Sequence, residues 1–274
     1  MKKLNWILIV FGIIMVIVAI ICYKVGYLEL FWAIFVGIGG GTVTTLKYIY
    51  DFFYRLVFSI DDLTPKYSYR NIKGRINILW IDNEISKFKE YKEYFNEGGY
   101  SIELQKDIKN IEDAKKYQII LCDIDGVGGK IAPDKKGNGF DVISKINEIF
   151  PSKFLIIVTG HIAKNILTIL PTSIRHFMKE NLSFPNFKIY LDNWIKDYLN
   201  PKYMWNNIFR PTLLKKSFSE QMIKKVEKAY IKDWKASGIN EGNLEKSELH
   251  KLKNKGDFRE YEREINAMIE YVIF

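Results

Sequence analysis

Four polar residues in the middle of the chain each follow an apolar run, and their types suit phosphoryl chemistry. Asp82, Asp123, Thr159 and Lys179 come directly after INILWI, QIILC, FLIIV and IRHFM. Carboxylates bind a hard cation, the cation and a lysine neutralise a phosphoryl group, and a hydroxyl hydrogen-bonds one of its oxygens. These four side chains would therefore form a site for a cation and a phosphoryl group if the fold brings them together.

The segments around these residues alternate between strand and helix patterns. Short β-rich runs cover 76–81, 100–104, 118–122, 154–158 and 174–178, and helical patterns cover 86–97, 110–117, 140–149 and 187–199. This alternation predicts an α/β fold, a five-stranded parallel doubly wound sheet with helices on both faces. Because ligands of such sheets bind outside the carboxyl ends of the strands, we expect the four polar residues at one common edge.

The order of these elements and of their polar ends resembles the receiver domain of two-component response regulators, which has a flavodoxin-like fold. The resemblance covers residues 75–199. It implies that Asp123 is the phosphoacceptor, that Thr159 is the switch hydroxyl and that Lys179 is the lysine that follows the fifth strand. It also implies regulation by aspartyl phosphorylation, with a histidine kinase or another protein as the partner.

The same resemblance implies a Mg²⁺ site at this edge. Its ligands would be Asp82, Asn83, Asp123 and the backbone carbonyl of Asp125. Asn83 stands where the family carries a second acidic residue, and its amide offers an oxygen without a charge. We therefore expect weakened Mg²⁺ binding, which Glu84 would restore only if its side chain turned inward.

Two further departures from the receiver pattern leave an alternative open. The loop 124–138 is longer than usual and would overhang the site, and Glu180 replaces the proline that usually follows the lysine. A degenerate receiver that takes no phosphate and serves as a binding module keeps much of the same pattern. The sequence does not separate that module from a phosphorylated receiver.

A second alternative is an enzyme. The stretch Asp123-Ile-Asp125 also resembles the first motif of haloacid-dehalogenase-type phosphatases, in which the first aspartate is the nucleophile and the second is the general acid. That family also needs a late acidic pair to bind its metal. After Lys179 the candidates are Asp192 and Asp197, within a helical, aromatic segment. We therefore expect a signalling protein rather than a phosphatase.

Two uncharged segments at the beginning of the sequence predict a membrane anchor. Residues 4–23 and 30–46 contain no formal charge, and at about 1.5 Å per residue the first would span about 30 Å of hydrocarbon. The glycine-rich second segment can extend past Lys47, whose ammonium can reach the interface. We expect residues 1–50 to form a transmembrane helical hairpin.

The charges around the predicted hairpin give its orientation. Lys2 and Lys3 precede the first segment, and Lys47 and Arg55 follow the second. By the positive-inside rule, the chain is a two-pass protein of the inner (cytoplasmic) membrane with both termini in the cytosol. The whole chain is 48% hydrophobic and 27% charged, which excludes global disorder, and its formal charge of +9 favours an anionic neighbour.

The last part of the chain predicts a helical extension with a basic face. Apolar residues recur every four positions at Leu214, Phe218, Met222, Val226, Tyr230 and Trp234. This spacing predicts one helix of about 25 residues that ends at Gly238. Residues 202–235 carry nine Lys or Arg against three acids. This basic side is either the solvated face of a helix that packs on the receiver-like domain or on a second copy of the chain, or a surface for contact with anionic lipid. No helix-turn-helix spacing is present, and we expect no nucleic-acid partner.

These inferences divide the chain into four parts: the hairpin 1–50, a juxtamembrane linker 51–74, the receiver-like domain 75–199 and the helical extension 200–274. We expect phosphorylation or partner docking at the domain as the input, and homo-oligomerisation at the membrane as the output. The competing interpretation is a degenerate receiver fused to a hairpin that perturbs the membrane, as in bacterial stress or phage-defence proteins.

Overall fold

The computed structural model describes residues 59–131, 139–160, 173–236 and 241–274. Ile60–Phe274 form one compact unit. The predicted membrane segments 4–23 and 30–46 lie outside the described residues. Among the helices that are described, none is both long enough and apolar enough to cross a bilayer.

A five-stranded parallel sheet forms the centre of this unit. Its strands are β1 (Asn77–Ile81), β2 (Ser101–Gln105), β3 (Ile119–Asp123), β4 (Phe154–Thr159) and β5 (Ile174–Met178). Every neighbouring pair is parallel, and the order across the sheet is β2-β1-β3-β4-β5. β3 and β4 are buried along their whole length, which explains why they read as unbroken apolar runs. The predicted α/β fold with a five-stranded parallel sheet is confirmed.

Helices and turns connect and follow the strands. The α-helices are α1 (Tyr69–Ile72), α2 (Lys89–Glu97), α3 (Gly139–Ile149), α4 (Phe184–Leu199), α5 (Pro201–Met204), α6 (Arg210–Lys215), α7 (Glu220–Lys235), α8 (Glu248–Lys253) and α9 (Glu262–Ile273). Single turns of 3₁₀ helix lie at Ile60–Asp62, Lys73–Arg75, Ile85–Phe88, Ile111–Lys116, Lys179–Asn181, Glu241–Lys246 and Gly256–Tyr261, and a π-helical turn lies at Trp205–Phe209.

Two predicted helices differ in detail from the observed ones. The helix expected over 110–117 is the 3₁₀ turn Ile111–Lys116, which begins where the side chain of Asn110 accepts a hydrogen bond from the Glu112 amide. α4 begins three residues earlier than expected, because Ser183 caps its first turn and a proline occupies that turn.

Both faces of the sheet are covered. On one face, alternate strand residues pack against α3 in a cluster that includes Ile81, Ile120, Val142 and Ile146, all fully buried. Burying one such aliphatic side chain stabilises a fold by about 1.5–3 kcal/mol. On the other face, the Trp80 ring stacks on Phe88 with centroids 4.5 Å apart and lies 5.1 Å from Phe187 of α4. The two faces therefore differ in chemistry, aliphatic against α3 and aromatic against α4.

The single long helix predicted beyond residue 210 is wrong, because the chain breaks at residues 216–219. Ser217 has a φ of 63°, a left-handed conformation that ends α6. Ser219 then caps α7, since its hydroxyl oxygen accepts a hydrogen bond from the Met222 amide. Phe218 is buried inside the break, so the four-residue apolar spacing runs across it without interruption.

A buried carboxylate joins α7 to α8. Asp233 is 1% exposed, and its Oδ2 accepts hydrogen bonds from the Ser247 hydroxyl at 2.6 Å and the Leu249 amide at 2.9 Å. Its Oδ1 accepts one from the Glu248 amide at 2.7 Å. Asp233 therefore satisfies the first turn of α8 from a neighbouring helix. The predicted helix end at Gly238 lies outside the described residues.

Residues 60–68, which we call the strap, pack on the C-terminal helices. The Trp234 Nε1 donates to the carbonyl of Thr64 at 2.9 Å, and the Lys66 Nζ donates to the carbonyl of Val272 at 2.8 Å. The same ammonium lies 4.7 Å from the centroid of the Trp234 ring, and burial lowers the pKa of Lys66. Within the predicted linker 51–74, the strap is thus bonded to α7 and α9, whereas Tyr69 of α1 donates to Asp192 of α4.

Candidate functional site

The carboxyl edge of the sheet carries the four residues that the sequence singles out. Asp82 directly follows β1, Asp123 ends β3, Thr159 ends β4 and Lys179 directly follows β5. These four strands are consecutive neighbours in the sheet. Three of the side chains are in direct contact, since the Lys179 Nζ lies 2.8 Å from Asp82 Oδ2 and 2.7 Å from Asp123 Oδ2. Thr159 is buried at the adjacent strand end.

A backbone amide fixes each carboxylate through its other oxygen. The Glu84 amide donates to Asp82 Oδ1 at 2.9 Å, and the Ile124 amide donates to Asp123 Oδ1 at 2.9 Å. Both carboxylates therefore direct Oδ2 towards the same ammonium. The local sequence produces this arrangement because each aspartate lies where a strand ends and a turn begins. An aspartate at such a position accepts a hydrogen bond from the backbone amide of a residue that closely follows it.

The cluster carries more negative than positive charge. When all three groups are ionised, Asp82 and Asp123 share the single ammonium of Lys179. Burial raises the pKa of Asp123, and the ion pair with Lys179 offsets this only in part. Burial alone would lower the pKa of Lys179, but its ion pairs with the two carboxylates outweigh burial and raise that pKa. The lysine is therefore a permanent cation in a site that can accept another positive charge.

Lys179 is also the most accessible member of the cluster. Its side chain is 20% exposed, whereas those of Asp82 and Asp123 are 0% and 7% exposed. The Phe88 ring centroid lies 5.6 Å from the Lys179 Nζ, within the range of a cation–π contact. A ligand that enters from solvent therefore meets the ammonium before it reaches the carboxylates.

Asn83, which is one of the predicted Mg²⁺ ligands, packs against the loop that follows Asp123. Gly126 has a φ of 75°, and a Cβ built there would lie 2.0 Å from the Asn83 Nδ2. The asparagine amide thus occupies the space that a side chain at 126 would need. Asp125, whose carbonyl is a predicted ligand, is exposed. Glu84 pairs with Lys87 at 2.6 Å on the surface, so its side chain does not supply the missing charge.

The segment after Asp123 is tied to the start of α3. The Gly139 amide donates to the carbonyl of Ile124 at 2.8 Å, and a Cβ at Gly139 would lie 1.7 Å from the carbonyl oxygen of Asp123. Only glycine fits so close to the end of β3. Val127 is fully buried in the α3 cluster. Residues 132–138 of the predicted overhanging loop lie outside the described residues.

One carboxylate at this edge, Asp107, is not among the predicted site residues. It lies two residues beyond β2, and its Oδ1 accepts hydrogen bonds from the Gly128 amide at 2.6 Å and the Ile108 amide at 2.8 Å. Gly128 has a φ of 80°, so Asp107 fixes a turn in the loop that leads away from Asp123. Its position after the second strand is the signal that could have identified it.

The donor set suits a hard cation such as Mg²⁺. The two carboxylates that share one ammonium offer oxygen ligands of the kind that Mg²⁺ prefers. Over the described part of the chain, no three His, Cys, Asp or Glu side chains converge to form a metal site. The predicted ligand set contains only two carboxylates, and its other ligands are the Asn83 amide and the Asp125 carbonyl.

No protein-family model matches this chain, and no curated protein is significantly similar to it.

Proposed function

We propose that this chain is a membrane-anchored receiver-like signalling protein in which Asp123 accepts a phosphoryl group. One observation carries the proposal: the Lys179 ammonium lies within 2.8 Å of both Asp82 and Asp123 at the carboxyl edge of the sheet. The strand order β2-β1-β3-β4-β5 supports it, because flavodoxin-like sheets bind their ligands at this edge, beside the central strands.

The chemistry follows from the three side chains. A carboxylate oxygen of Asp123 would form a bond to phosphorus while the bond from phosphorus to the donor breaks, and the leaving group keeps the electron pair. Lys179 would neutralise the charge of the transferred group. The hydroxyl of Thr159, at the next strand end, would hydrogen-bond a phosphoryl oxygen. Asp82, Asn83, Asp123 and the Asp125 carbonyl would bind Mg²⁺, which would neutralise further negative charge on the phosphoryl group.

A binding module without phosphorylation is the second candidate. It is favoured by the ion pairs of Lys179, which already compensate part of the charge of both carboxylates. It is also favoured by Asn83, which removes one charged metal ligand. In that module, a partner protein would dock at the same edge, and its binding would regulate the domain in place of phosphorylation.

The phosphatase alternative has less support from the geometry. Asp192 accepts hydrogen bonds from the hydroxyls of Tyr69 and Tyr100, and Asp197 forms an ion pair with Arg175 at 2.8 Å. Tyr100 precedes β2 and Arg175 is in the first half of β5. Asp192 and Asp197 therefore bind partners near the amino ends of the strands, whereas Asp123 lies at the carboxyl ends.

The membrane anchor makes oligomerisation at the inner-membrane surface the proposed output, with a histidine kinase as the proposed phosphoryl donor. The competing effector, a hairpin that perturbs the membrane in stress or phage defence, would use the same domain as its sensor. Gene neighbours separate the two proposals, since a kinase gene favours the first and a defence cluster favours the second.

The test is Mg²⁺-dependent binding of beryllofluoride, or labelling by acetyl phosphate, on the fragment Ile60–Phe274. This fragment keeps the strap, which bonds to α7 and α9. We expect Asp123→Asn to abolish labelling, Asp125→Asn to retain it and Asn83→Asp to lower the Mg²⁺ concentration required. Labelling that survives Asp123→Asn would reject the phosphoacceptor.

Two further results of this experiment would favour the alternatives. Absence of labelling in the unmodified fragment and in Asn83→Asp would favour the binding module. Rapid hydrolysis of a phosphate ester that is lost in Asp125→Ala and kept in Asp82→Ala would favour the phosphatase.

A further inference from the structure

The loop that follows Asp123 carries one of the proposed Mg²⁺ ligands on its backbone. Its described part, residues 124–131, contains Asp125, whose carbonyl is that ligand. A side chain can turn towards a metal by rotation about its own bonds, but the direction of a backbone carbonyl is set by the conformation of the loop. Groups that fix this loop therefore bear on the site even if they do not bind the cation themselves.

Contacts on both sides of Asp125 fix the first part of the loop. Before it, the Ile124 carbonyl accepts a hydrogen bond from the Gly139 amide at 2.8 Å. After it, Gly126 has a φ of 75° and packs against the side-chain amide of Asn83. These contacts come from the start of α3 and from the turn after β1, and they hold the two immediate neighbours of Asp125.

Asp107 holds the loop at a third point, from the turn after β2. Its Oδ1 accepts a hydrogen bond from the Gly128 amide at 2.6 Å. Gly128 has a φ of 80°, which glycine adopts at little cost, and its carbonyl accepts from the Ile131 amide at 3.0 Å. Val127, directly before it, is fully buried. The carboxylate therefore fixes the point at which the loop turns.

The Asp107 carboxylate is itself held in place. Its Oδ1 also accepts from the Ile108 amide at 2.8 Å, and Ile108 is fully buried in the α3 cluster. Hydrogen bonds from amides to a carboxylate are stronger than those between neutral groups. Within the described residues, Asp107 does not form a three-carboxylate group with Asp82 and Asp123, so its contribution to a cation site would pass through the loop.

We propose that Asp107 is a positioning residue that raises the Mg²⁺ affinity of the proposed site by fixing the 124–131 loop, which carries the Asp125 carbonyl. This inference rests on the proposed function, because it takes the Mg²⁺ site from it. Mg²⁺ demands near-ideal octahedral geometry, so a ligand on a loosened loop contributes less. Through Asp107, β2 at one end of the sheet order is connected to the site.

The test compares Asp107→Ala with Asp107→Asn in the fragment Ile60–Phe274. Alanine removes the acceptor, whereas asparagine keeps a carbonyl oxygen for the Gly128 amide. Calorimetric titration measures Mg²⁺ affinity, and amide hydrogen exchange without Mg²⁺ measures opening of the loop. We expect Asp107→Ala to weaken Mg²⁺ binding about tenfold and to speed exchange at Gly128 and Ile131. Asp107→Asn should reverse most of both changes.

The matched control is Asp113→Ala, which removes an exposed acid from the same connection between β2 and β3. It should change neither Mg²⁺ affinity nor exchange in the loop. An equal loss of affinity in the control would show that net charge is responsible, and would overturn the proposal. A purely structural Asp107 would also overturn it, since Asp107→Ala would then lower the urea midpoint without changing the Mg²⁺ affinity of the folded fragment.

Failure of the proposed function gives a different result from failure of this inference. If neither the unmodified fragment nor Asn83→Asp binds Mg²⁺, the cation site and the inference are both wrong. If the unmodified fragment binds Mg²⁺ and Asp107→Ala binds it equally well, the inference alone is wrong. Labelling of Asp123 by acetyl phosphate then still tests the phosphoacceptor.

Discussion

Among the residues that the structure describes, two of the places where carboxylates are buried have opposite consequences. Asp233 is a single carboxylate that accepts three hydrogen bonds from the first turn of α8. Asp82 and Asp123 are two carboxylates that accept one backbone hydrogen bond each and share one ammonium. Both places are almost inaccessible to water. The two places differ in the number of hydrogen-bond donors that each carboxylate has.

The difference separates a structural group from a candidate site. At Asp233 the donors satisfy the charge, so the group stabilises the junction of α7 and α8 and has no capacity for a ligand. At the sheet edge the charges are only partly compensated, which costs stability and is the reason why we propose a cation site there. Burial of an acid is therefore a poor indicator of function unless its donors are counted.

The largest expected effect is the loss of the structural carboxylate. Asp233→Ala leaves the Ser247 hydroxyl and two amides without their acceptor, and we expect it to lower the free energy of unfolding by about 3 kcal/mol. Urea denaturation of Ile60–Phe274 measures this. Glu248→Ala, which removes a half-buried acid of α8 that pairs with Lys251 and Lys232, is the control and should lower stability by less than about 1 kcal/mol. Similar losses in the two variants would show that Asp233 has no special role.

Removal of the shared ammonium should have the next largest effect. Lys179→Met leaves Asp82 and Asp123 facing each other without a cation, and we expect a loss of about 2 kcal/mol at neutral pH. Millimolar Mg²⁺ should restore part of it, because a bound cation stabilises the folded state. Lys87→Met removes an exposed lysine from its pair with Glu84 and should respond neither in stability nor to Mg²⁺. A loss that Mg²⁺ does not reduce would contradict a cation site at this edge.

Lys153 is a buried cation, and it can be compared with the buried carboxylates in the same way. It lies before β4, is 7% exposed and donates to the Lys115 carbonyl at 2.6 Å, and burial lowers its pKa to about 8. At pH 7 the buried charge costs stability, so we expect Lys153→Met to stabilise the fragment by about 1.5 kcal/mol.

The dependence of this gain on pH has a definite sign. Above pH 8 the folded lysine loses its proton while the unfolded one retains it until about pH 10.5. The unmodified fragment therefore gains stability over that range, and the advantage of Lys153→Met should shrink. Thermal or urea unfolding at pH 7, 8.5 and 10 tests this. A constant difference at the three pH values would show that the charge of Lys153 is not responsible.

The smallest expected effect is that of replacing Asp123, the proposed phosphoacceptor. Asp123→Asn removes one of two like charges while its Oδ1 can still accept from the Ile124 amide. We expect stability to remain equal or to rise by up to about 1 kcal/mol, whereas Asp233→Asn should lower it. Urea midpoints of the two variants provide the comparison. A marked loss in Asp123→Asn would mean that this carboxylate is structural as well.

Local sequence patterns were sufficient to predict the sheet and its polar edge. The strands are short apolar runs that stop at polar residues, because strands of a parallel sheet are buried on both faces and end where the chain turns to solvent. The contact of Asp82, Asp123 and Lys179 followed from the parallel order of the strands. The roles of these residues in phosphoryl transfer and Mg²⁺ binding stay predictions.

Features that depend on distant partners could not be predicted. The apolar spacing that indicated one helix continues without interruption, yet Ser217 turns the chain. The spacing does not reveal the turn, because Phe218 can be buried in a continuous helix as well as in the observed break. Asp233 reads as an ordinary helical acid until its donors, 14 to 16 residues further on, are placed beside it. The position of Asp107 after the second strand is visible in the sequence, but the hydrogen bond that it accepts from Gly128 of another loop is not.

The strap has a consequence for the order in which the protein is made. Lys66 and the carbonyl to which it donates, that of Val272, are 206 residues apart in the chain. At about 5–20 residues per second, a ribosome needs roughly 10–40 s to proceed from one to the other. The sheet can assemble during that interval, but the strap lacks its final partner throughout. A nascent chain would therefore wait with its sheet formed while Lys66 still lacks the Val272 carbonyl, and synthesis of α9 would attach the strap to the folded unit.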